Sequence, residues 1–309
     1  NKFHSTFIDS IQRYVHKGRI HSEINQLRSD QGGTVSGRLS MSNPNLQQIP
    51  ARNKEYGDKI RSLFLPEEGR QWGSFDYSQQ EPRLVAHYAA STNEEFTGAG
   101  EFINSYQNDE ADFHQIVADM AGISRTNAKT INLGLFYGMG KAKLARELGI
   151  SKDAAENLLS KYHNKVPFVK RLAESVMNSA SKFGFIRTVK GRKCRFDMWE
   201  PATFGMNKAM KYEEAKAVYG NNIRRAYTYK ALNRLIQGSA ADQTKQAMIN
   251  CYKKGFQPIL QIHDELCFSI NEENDIIGIK KEMENAIEGL KVPFKTDVAL
   301  GSSWGNAKE

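Results

Sequence analysis

The order of elements predicts an α+β fold: a short apolar strand near residue 72 runs into a helix, a long helical stretch follows, and strands with one more helix close the chain. Three observations carry this. Trp72 to Asp76 reads as a strand and meets Ser78 with Glu81 three residues on, a capping-box spacing that starts a helix near Gln79. From about Asp112 to Ala180 apolar residues recur at helical spacing, clearest over Lys152 to Tyr162 and Pro167 to Met177. Gln257 to Ile270 alternates on both sides of His263-Asp264-Glu265, which predicts a β-hairpin with those residues at its turn. The result is one α+β body with a helical insertion.

The other elements follow in order. Arg19 to Gln26 reads as a strand, and Asp30-Gln31-Gly32-Gly33 and Ser42-Asn43-Pro44-Asn45 mark turns. Pro82 falls in the first helical turn, where its missing N–H does little harm. Phe183 to Arg195 is strand-like and basic, and residues 200–222 read as an irregular insertion. A helix is expected from about Ala231 to Lys253. Ile276, Ile279, Met283, Ile287 and Leu290 form one helical stripe, read as core packing.

The bulk numbers narrow the class. The chain has 309 residues, 39% of them hydrophobic, enough for a large core. Lys and Arg number 43 against 35 Asp and Glu, a net charge of +8, which suits a polyanionic partner and equally an ordinary basic protein. The three cysteines, Cys194, Cys251 and Cys267, form no CxxC pair, so a reducing compartment is expected, without a disulfide framework or zinc site. No apolar run approaches a membrane span, so no membrane association is expected. The opening Asn1-Lys2-Phe3 reads as a fragment boundary.

Two carboxylates stand out by context. Asp76 ends an apolar strand where a helix begins, and Asp264 occupies a hairpin turn inside an apolar segment. Magnesium takes carboxylate oxygens and keeps waters or substrate phosphates as its other ligands. Two such ions about 3.5–4 Å apart stabilise the attacking and leaving oxygens of a phosphoryl displacement. A local reading competes, because a strand-end Asp caps a helix and a turn Asp accepts backbone N–H bonds.

The segment from Arg125 to Gly138 is more specific. Arg125, Lys129, Leu133 and Tyr137 recur every four residues, one slanted stripe on a helix running cation, cation, apolar, aromatic. A nucleoside triphosphate presents phosphates, sugar and base in that order. An amphipathic helix with a solvated basic end explains the two cations equally well. It does not explain Gly134 and Gly138, which cost about 1 kcal/mol each inside a helix unless something approaches the backbone closely.

These residues resemble known signatures. Asp76-Tyr77-Ser78-Gln79-Gln80-Glu81-Pro82-Arg83 resembles motif A of family A DNA polymerases, Arg125 to Gly138 resembles motif B, and His263-Asp264-Glu265 resembles motif C. Gly37-Arg38-Leu39-Ser40 with Asn45-Leu46-Gln47-Gln48-Ile49-Pro50, Gln237-Gly238-Ser239-Ala240-Ala241-Asp242, and Gly301-Ser302-Ser303-Trp304 agree and fall in the family's order. The resemblance implies a palm over residues 1–85 and 226–309, interrupted by helical fingers over 86–225, with only a thumb remnant at the start. It implies template-directed addition of dNTPs to a primer 3′ end with release of pyrophosphate. Asp76, Asp264 and the Tyr77 carbonyl would hold two Mg2+ ions, and Glu265 would be an accessory carboxylate. Arg125, Lys129 and His114 would bind the triphosphate, with Lys129 also donating a proton to the leaving group. Gln79, Glu81, Leu133 and Tyr137 would complete the dNTP site, Glu81 blocking a ribose 2′-hydroxyl. Arg38, Asn45, Gln47, Asn233, Gln237 and His263 would contact primer–template DNA. A monomer in the cytoplasm, working with replication accessory proteins, is the expected context.

Departures from the pattern matter too. Leu133 stands where the family usually has Phe or Tyr, so altered sugar discrimination and poor use of dideoxynucleotides are expected. Thr126 in place of a second arginine, and the short connection after His114, look more like phage members. The thumb and any exonuclease would precede residue 1, so weak processivity is expected of this chain alone. A single-subunit RNA polymerase shares the two aspartates and the basic helix, but Glu81 and the His-Asp-Glu motif favour the DNA enzyme. A non-catalytic primer–template binding module has no use for Asp76, Asp264 and Lys129 together.

Overall fold

The computed structural model describes residues 7–30, 32–50, 56–91, 99–107, 112–136, 139–203 and 208–307. The chain divides into two compact units: Asn1–Gln80 with Ala240–Gly289 and Phe294–Glu309, and Glu81–Ser239 with Leu290–Pro293.

The first unit is organised by a four-stranded antiparallel sheet in the order Leu260–Ile262, Glu265–Ile270, Gln71–Tyr77, Thr296–Gly301. The Gln71–Tyr77 strand is central because it alternates: Phe75 and Tyr77 are buried, whereas Asp76 between them is exposed. Phe75 meets Phe268 edge to face, and the Tyr77 hydroxyl donates to the Met283 carbonyl at 2.7 Å. That face is therefore closed by the helix Glu273–Glu284, which buries Ile279 and Met283. On the other face Trp72 and Cys267 join Met41, Leu46, Ile49, Ile60, Leu260, Ile262 and Trp304. Each large apolar side chain buried this way contributes about 1.5–3 kcal/mol. The expected hairpin is present, but its turn is only His263-Asp264, and Glu265 is the first residue of the second strand.

Several first-unit expectations are refined. The stretch from Arg19 splits into Arg19–Ile20 and Glu23–Asn25, which pair with different partners. The helix of the apolar stripe stops at Glu284, so Ile287 is buried beyond its end. Thr296–Gly301, not anticipated as a strand, lies along the other edge of the central strand.

The second unit is mainly helical. Phe113–Ala121, Arg125–Phe136, Lys141–Leu148, Lys152–Lys165 and Pro167–Phe183 occupy the predicted helical region. Ile131, Leu144, Ala145 and Ala155 form one cluster there, and Ala180, Ile186, Cys194, Phe196, Ala231 and Leu235 another. Phe185–Arg187 and Lys193–Arg195 make the basic hairpin. The described part of residues 200–222 is not irregular: Trp199–Pro201 pairs with Ile223–Arg225, and the helix Tyr212–Tyr219 lies between them in sequence; 204–207 fall outside the described residues. Its polar, glycine-broken composition reflects exposure on most sides, since only Ala215 of that helix is buried. The predicted helix Ala231–Lys253 is present over its full length. Among the described residues, no helix is long and apolar enough to cross a membrane.

Candidate active site

Asp76 sits directly opposite Glu265 on one neighbouring strand and opposite Asp297 on the other. Residues opposite in an antiparallel register share a face with Cβ atoms about 5 Å apart. Three carboxylates thus form a row across three strands, and Asp264 stands in the turn beside it. Like charges directly opposite one another destabilise a sheet, and a cation beside such a row would lessen that repulsion. No group of three His, Cys, Asp or Glu side chains among the described residues closes around a point as a metal cage would. An extended acidic row of this kind fits magnesium, which takes one or two carboxylates and fills its shell with water and phosphate. The Tyr77 side chain is buried on the opposite face, so only its main chain is available to that edge.

A polar ladder leads to Glu265. Trp72 Nε1–H donates to Ser74 Oγ at 3.1 Å, Ser74 Oγ lies 3.7 Å from Cys267 Sγ, and the Cys267 thiol donates to Glu265 Oε1 at 3.4 Å. Burial first, then the Glu265 charge, push the Cys267 thiol well above its ordinary value, so it stays a donor. The turn is braced from the other side. Gln47 Nε2 donates to Gln261 Oε1 at 3.2 Å, and Gln261 in turn donates to the His263 carbonyl. Gln47, expected to contact DNA, also supports the turn that carries His263 and Asp264. His263 itself is exposed with φ of 57°, a left-handed position where hairpin turns ordinarily place glycine.

The remaining expected residues of this unit are placed as follows. Gln79 has φ of 53° immediately before the helix Gln80–Ser91. The buried Gln80 Nε2 donates to Gln243 Oε1 at 3.1 Å, anchoring the start of that helix. Asn45 caps the short turn Leu46–Gln48, accepting from the Gln47 N–H. Arg38 is half-buried, and its carbonyl accepts from the Thr34 hydroxyl.

In the second unit the basic helix Arg125–Phe136 buries Ala128 and Ile131 and exposes Arg125 and Lys129. Asp112 caps the preceding helix, accepting from the His114 and Gln115 N–H groups, and its other oxygen accepts from Arg125 Nε. Burial raises the Asp112 carboxyl, but the Arg125 hydrogen bond and the helix N–H groups outweigh it and hold it below the ordinary range. The Arg125–Asp112 pair is largely exposed and worth no more than about 1 kcal/mol, so releasing Arg125 from it costs little.

His114 is only 4% exposed, and its Nδ1 lies 3.0 Å from Asn132 Nδ2. The amide can only donate, so Nδ1 accepts and the ring proton resides on Nε2. Burial lowers the imidazole to about 4; the Asp112 charge opposes this, and Lys129 and Arg125 add to it. His114 is thus a neutral Nε2–H donor near neutral pH.

Glu81 is buried in the first turn of its helix, and Asn233 and Gln237 are half-buried one turn apart on Ala231–Lys253. Leu133 lies on the basic helix; its side chain, like Tyr137 and Gly138, falls outside the described residues. A Cβ at Gly134 would meet the tip of the Met139 side chain, the flexible end of a neighbour in this same chain. Sequence reasoning missed Asp297, Asp112, Asn132, Gln261 and the Ser74–Cys267 ladder. Asp297 carries a readable signal, since Thr296 to Gly301 is a short run ending in glycine. The others are visible only as contacts.

The model of the family described as DNA polymerase family A matches residues 1–306. A DNA-directed DNA polymerase of Pseudomonas phage M6 is 37% identical over 99% of this chain and 50% of its own length. The thermostable DNA polymerase I of Thermus aquaticus is 31% identical, covering 100% of this chain and 35% of its own length. Among solved structures, the POL domain of Pol1 from M. smegmatis, in complex with DNA primer-template and dNTP, aligns with a TM-score of 0.78. It is 31% identical over 99% of this chain and 52% of that one. The chain spans about half the length of the phage relative. With a family match over nearly its whole length and a structural relative sharing its mixed helix-and-sheet architecture, the chain belongs to DNA polymerase family A.

Proposed function

We propose that this chain carries the polymerase centre of a DNA-directed DNA polymerase, joining a dNTP to a primer 3′ end on a DNA template and releasing pyrophosphate. The observation that carries the reading is the register that sets Asp76 opposite Glu265, with Asp264 in the adjoining turn. The sheet unit serves as the palm, and the basic helix belongs to the fingers. Two Mg2+ ions, held by Asp76, Asp264 and the Tyr77 carbonyl, would supply charge neutralisation at the attacking and leaving oxygens.

The chain's own residues do the rest. Glu265, oriented by the Cys267 thiol, holds the edge of the acidic row. Arg125 exchanges Asp112 for a phosphate, Lys129 binds the triphosphate and protonates the departing pyrophosphate, and His114 donates Nε2–H to a phosphate oxygen. Gln79 and Leu133 border the nucleotide, and Glu81 with Tyr137 excludes a 2′-hydroxyl. Arg38, Asn45, Gln47, Asn233, Gln237 and His263 hold primer–template. Monomeric action in the cytoplasm of a host cell, with replication accessory proteins, completes the proposal.

Primer extension by the purified chain with Mg2+ and dNTPs tests it. Extension that is template-directed, lost in Asp76→Ala and far weaker with rNTPs is the expected result. Primer–template binding without any nucleotide addition would leave only a binding module.

A further inference from the structure

The segment from 187 to 230 contains eleven Lys and Arg against four Asp and Glu and carries exposed rings. Within it, four groups form a continuous row. The Arg225 guanidinium lies 4.6 Å from the Trp199 ring centroid, Trp199 meets Tyr212 at 5.0 Å between centroids, and Lys216 Nζ lies 5.6 Å from the Tyr212 centroid. Tyr212, Lys216 and Tyr219 fall at positions i, i+4 and i+7 of the helix Tyr212–Tyr219, on one face, while Ala215 faces inward. The two tyrosines remain 40% and 38% exposed. Of the four acids, Glu200 is paired with Arg224, Glu213 and Glu214 sit in the helix's first turn, where its positive end offsets them, and Asp197 is exposed.

We infer that this face is a binding platform for single-stranded DNA, whose bases stack on Tyr212 and Tyr219 while Lys216 and neighbouring cations take the phosphates. Rings flanked by cations on a basic surface are the arrangement unpaired strands use, because every base has a π-face and every nucleotide a phosphate. A duplex offers its phosphates but hides its base faces, so it has no use for the tyrosine rings. An acidic protein would answer the charge but not the rings. On the reading proposed above, the natural occupant is the unpaired part of the template.

The test is fluorescence anisotropy of a labelled 16-nucleotide oligo-dT with the whole chain at low salt. The double variant Tyr212→Ala/Tyr219→Ala should weaken binding by roughly tenfold or more. The double Tyr→Phe variant should retain it, and Lys216→Gln should flatten the salt dependence. Extension of a primer facing a single unpaired template nucleotide should be unchanged in all of them. Unaltered oligo-dT affinity in the Ala variant, equal loss in the Phe variant, or a wild-type chain that binds no oligo-dT would each overturn the platform. So would a wild-type dimer that the Ala variant converts to monomer, which would make the face a self-association surface. Failure of the wild-type chain to extend any primer would instead overturn the polymerase reading, leaving the oligo-dT result to stand by itself.

Discussion

Asp76 and Glu265 are register partners on adjacent antiparallel strands, although 189 positions separate them in the chain. Asp297 is the partner of Asp76 on its other side. The central strand therefore places one carboxylate between two others, and on the proposed function a divalent cation would relieve that repulsion. Asp76→Ala should lower the rate of nucleotide addition by about 10³-fold or more, about 4 kcal/mol of transition-state stabilisation, with primer–template affinity within about threefold. Single-turnover extension and a gel-shift titration measure the two. Asp297→Asn, which leaves the other carboxylates in place, should act mainly on the Mg2+ concentration at half-maximal rate.

Glu265 takes its orientation from the Cys267 thiol. Cys267→Val removes the donor at similar volume and should raise the half-saturating Mg2+ concentration by up to about tenfold, the worth of one hydrogen bond. Cys267→Ser should restore the wild-type value, a rescue that a packing role alone would not give. A Mg2+ titration of extension rate at saturating dNTP separates the outcomes.

The neutral state of His114 makes a pH prediction. Its folded value of about 4 lies below the ordinary 6.5. Between those values the unfolded chain binds a proton that the folded chain does not, so stability falls as pH drops from about 6.5 toward 4. Thermal unfolding of His114→Gln should show a flatter slope across that window. Above pH 6.5 the imidazole adds no slope, and its Nε2–H contribution to dNTP binding should stay constant to pH 8.

His263 holds a left-handed conformation at the hairpin turn. His263→Gly should stabilise the fold by about 1 kcal/mol, a rise of about 1–3 °C in Tm, by removing the Cβ penalty. The same change should weaken primer–template binding several-fold. Paired calorimetry and DNA titration would show whether the turn trades stability for contact, and a stable variant with undiminished DNA affinity would remove His263 from the interface.

Leu133→Tyr should increase incorporation of dideoxynucleotides relative to deoxynucleotides. Competition between ddTTP and dTTP in single-nucleotide extension measures the ratio, and an unchanged ratio would rule out a role for position 133 in sugar selection.

Much of this molecule is legible along the chain because helices and hairpins are local. The helix Ala231–Lys253, the helices between Phe113 and Phe183 and the hairpin around His263 follow from periodicities whose partners lie a few residues apart. The motif order pointed to the acids and the basic helix for the same reason. What folding alone decided are pairings between distant segments. Sequence spacing carries no register for strands far apart, so it could not place Asp297 opposite Asp76, or Gln47 against Gln261 behind the turn. Nor could it show that Trp199–Pro201 and Ile223–Arg225 close on each other around an exposed helix, because few apolar residues there mark the elements. The candidate site residues are legible along the chain; their support and their neighbours come from contacts that exist only once the strands have paired.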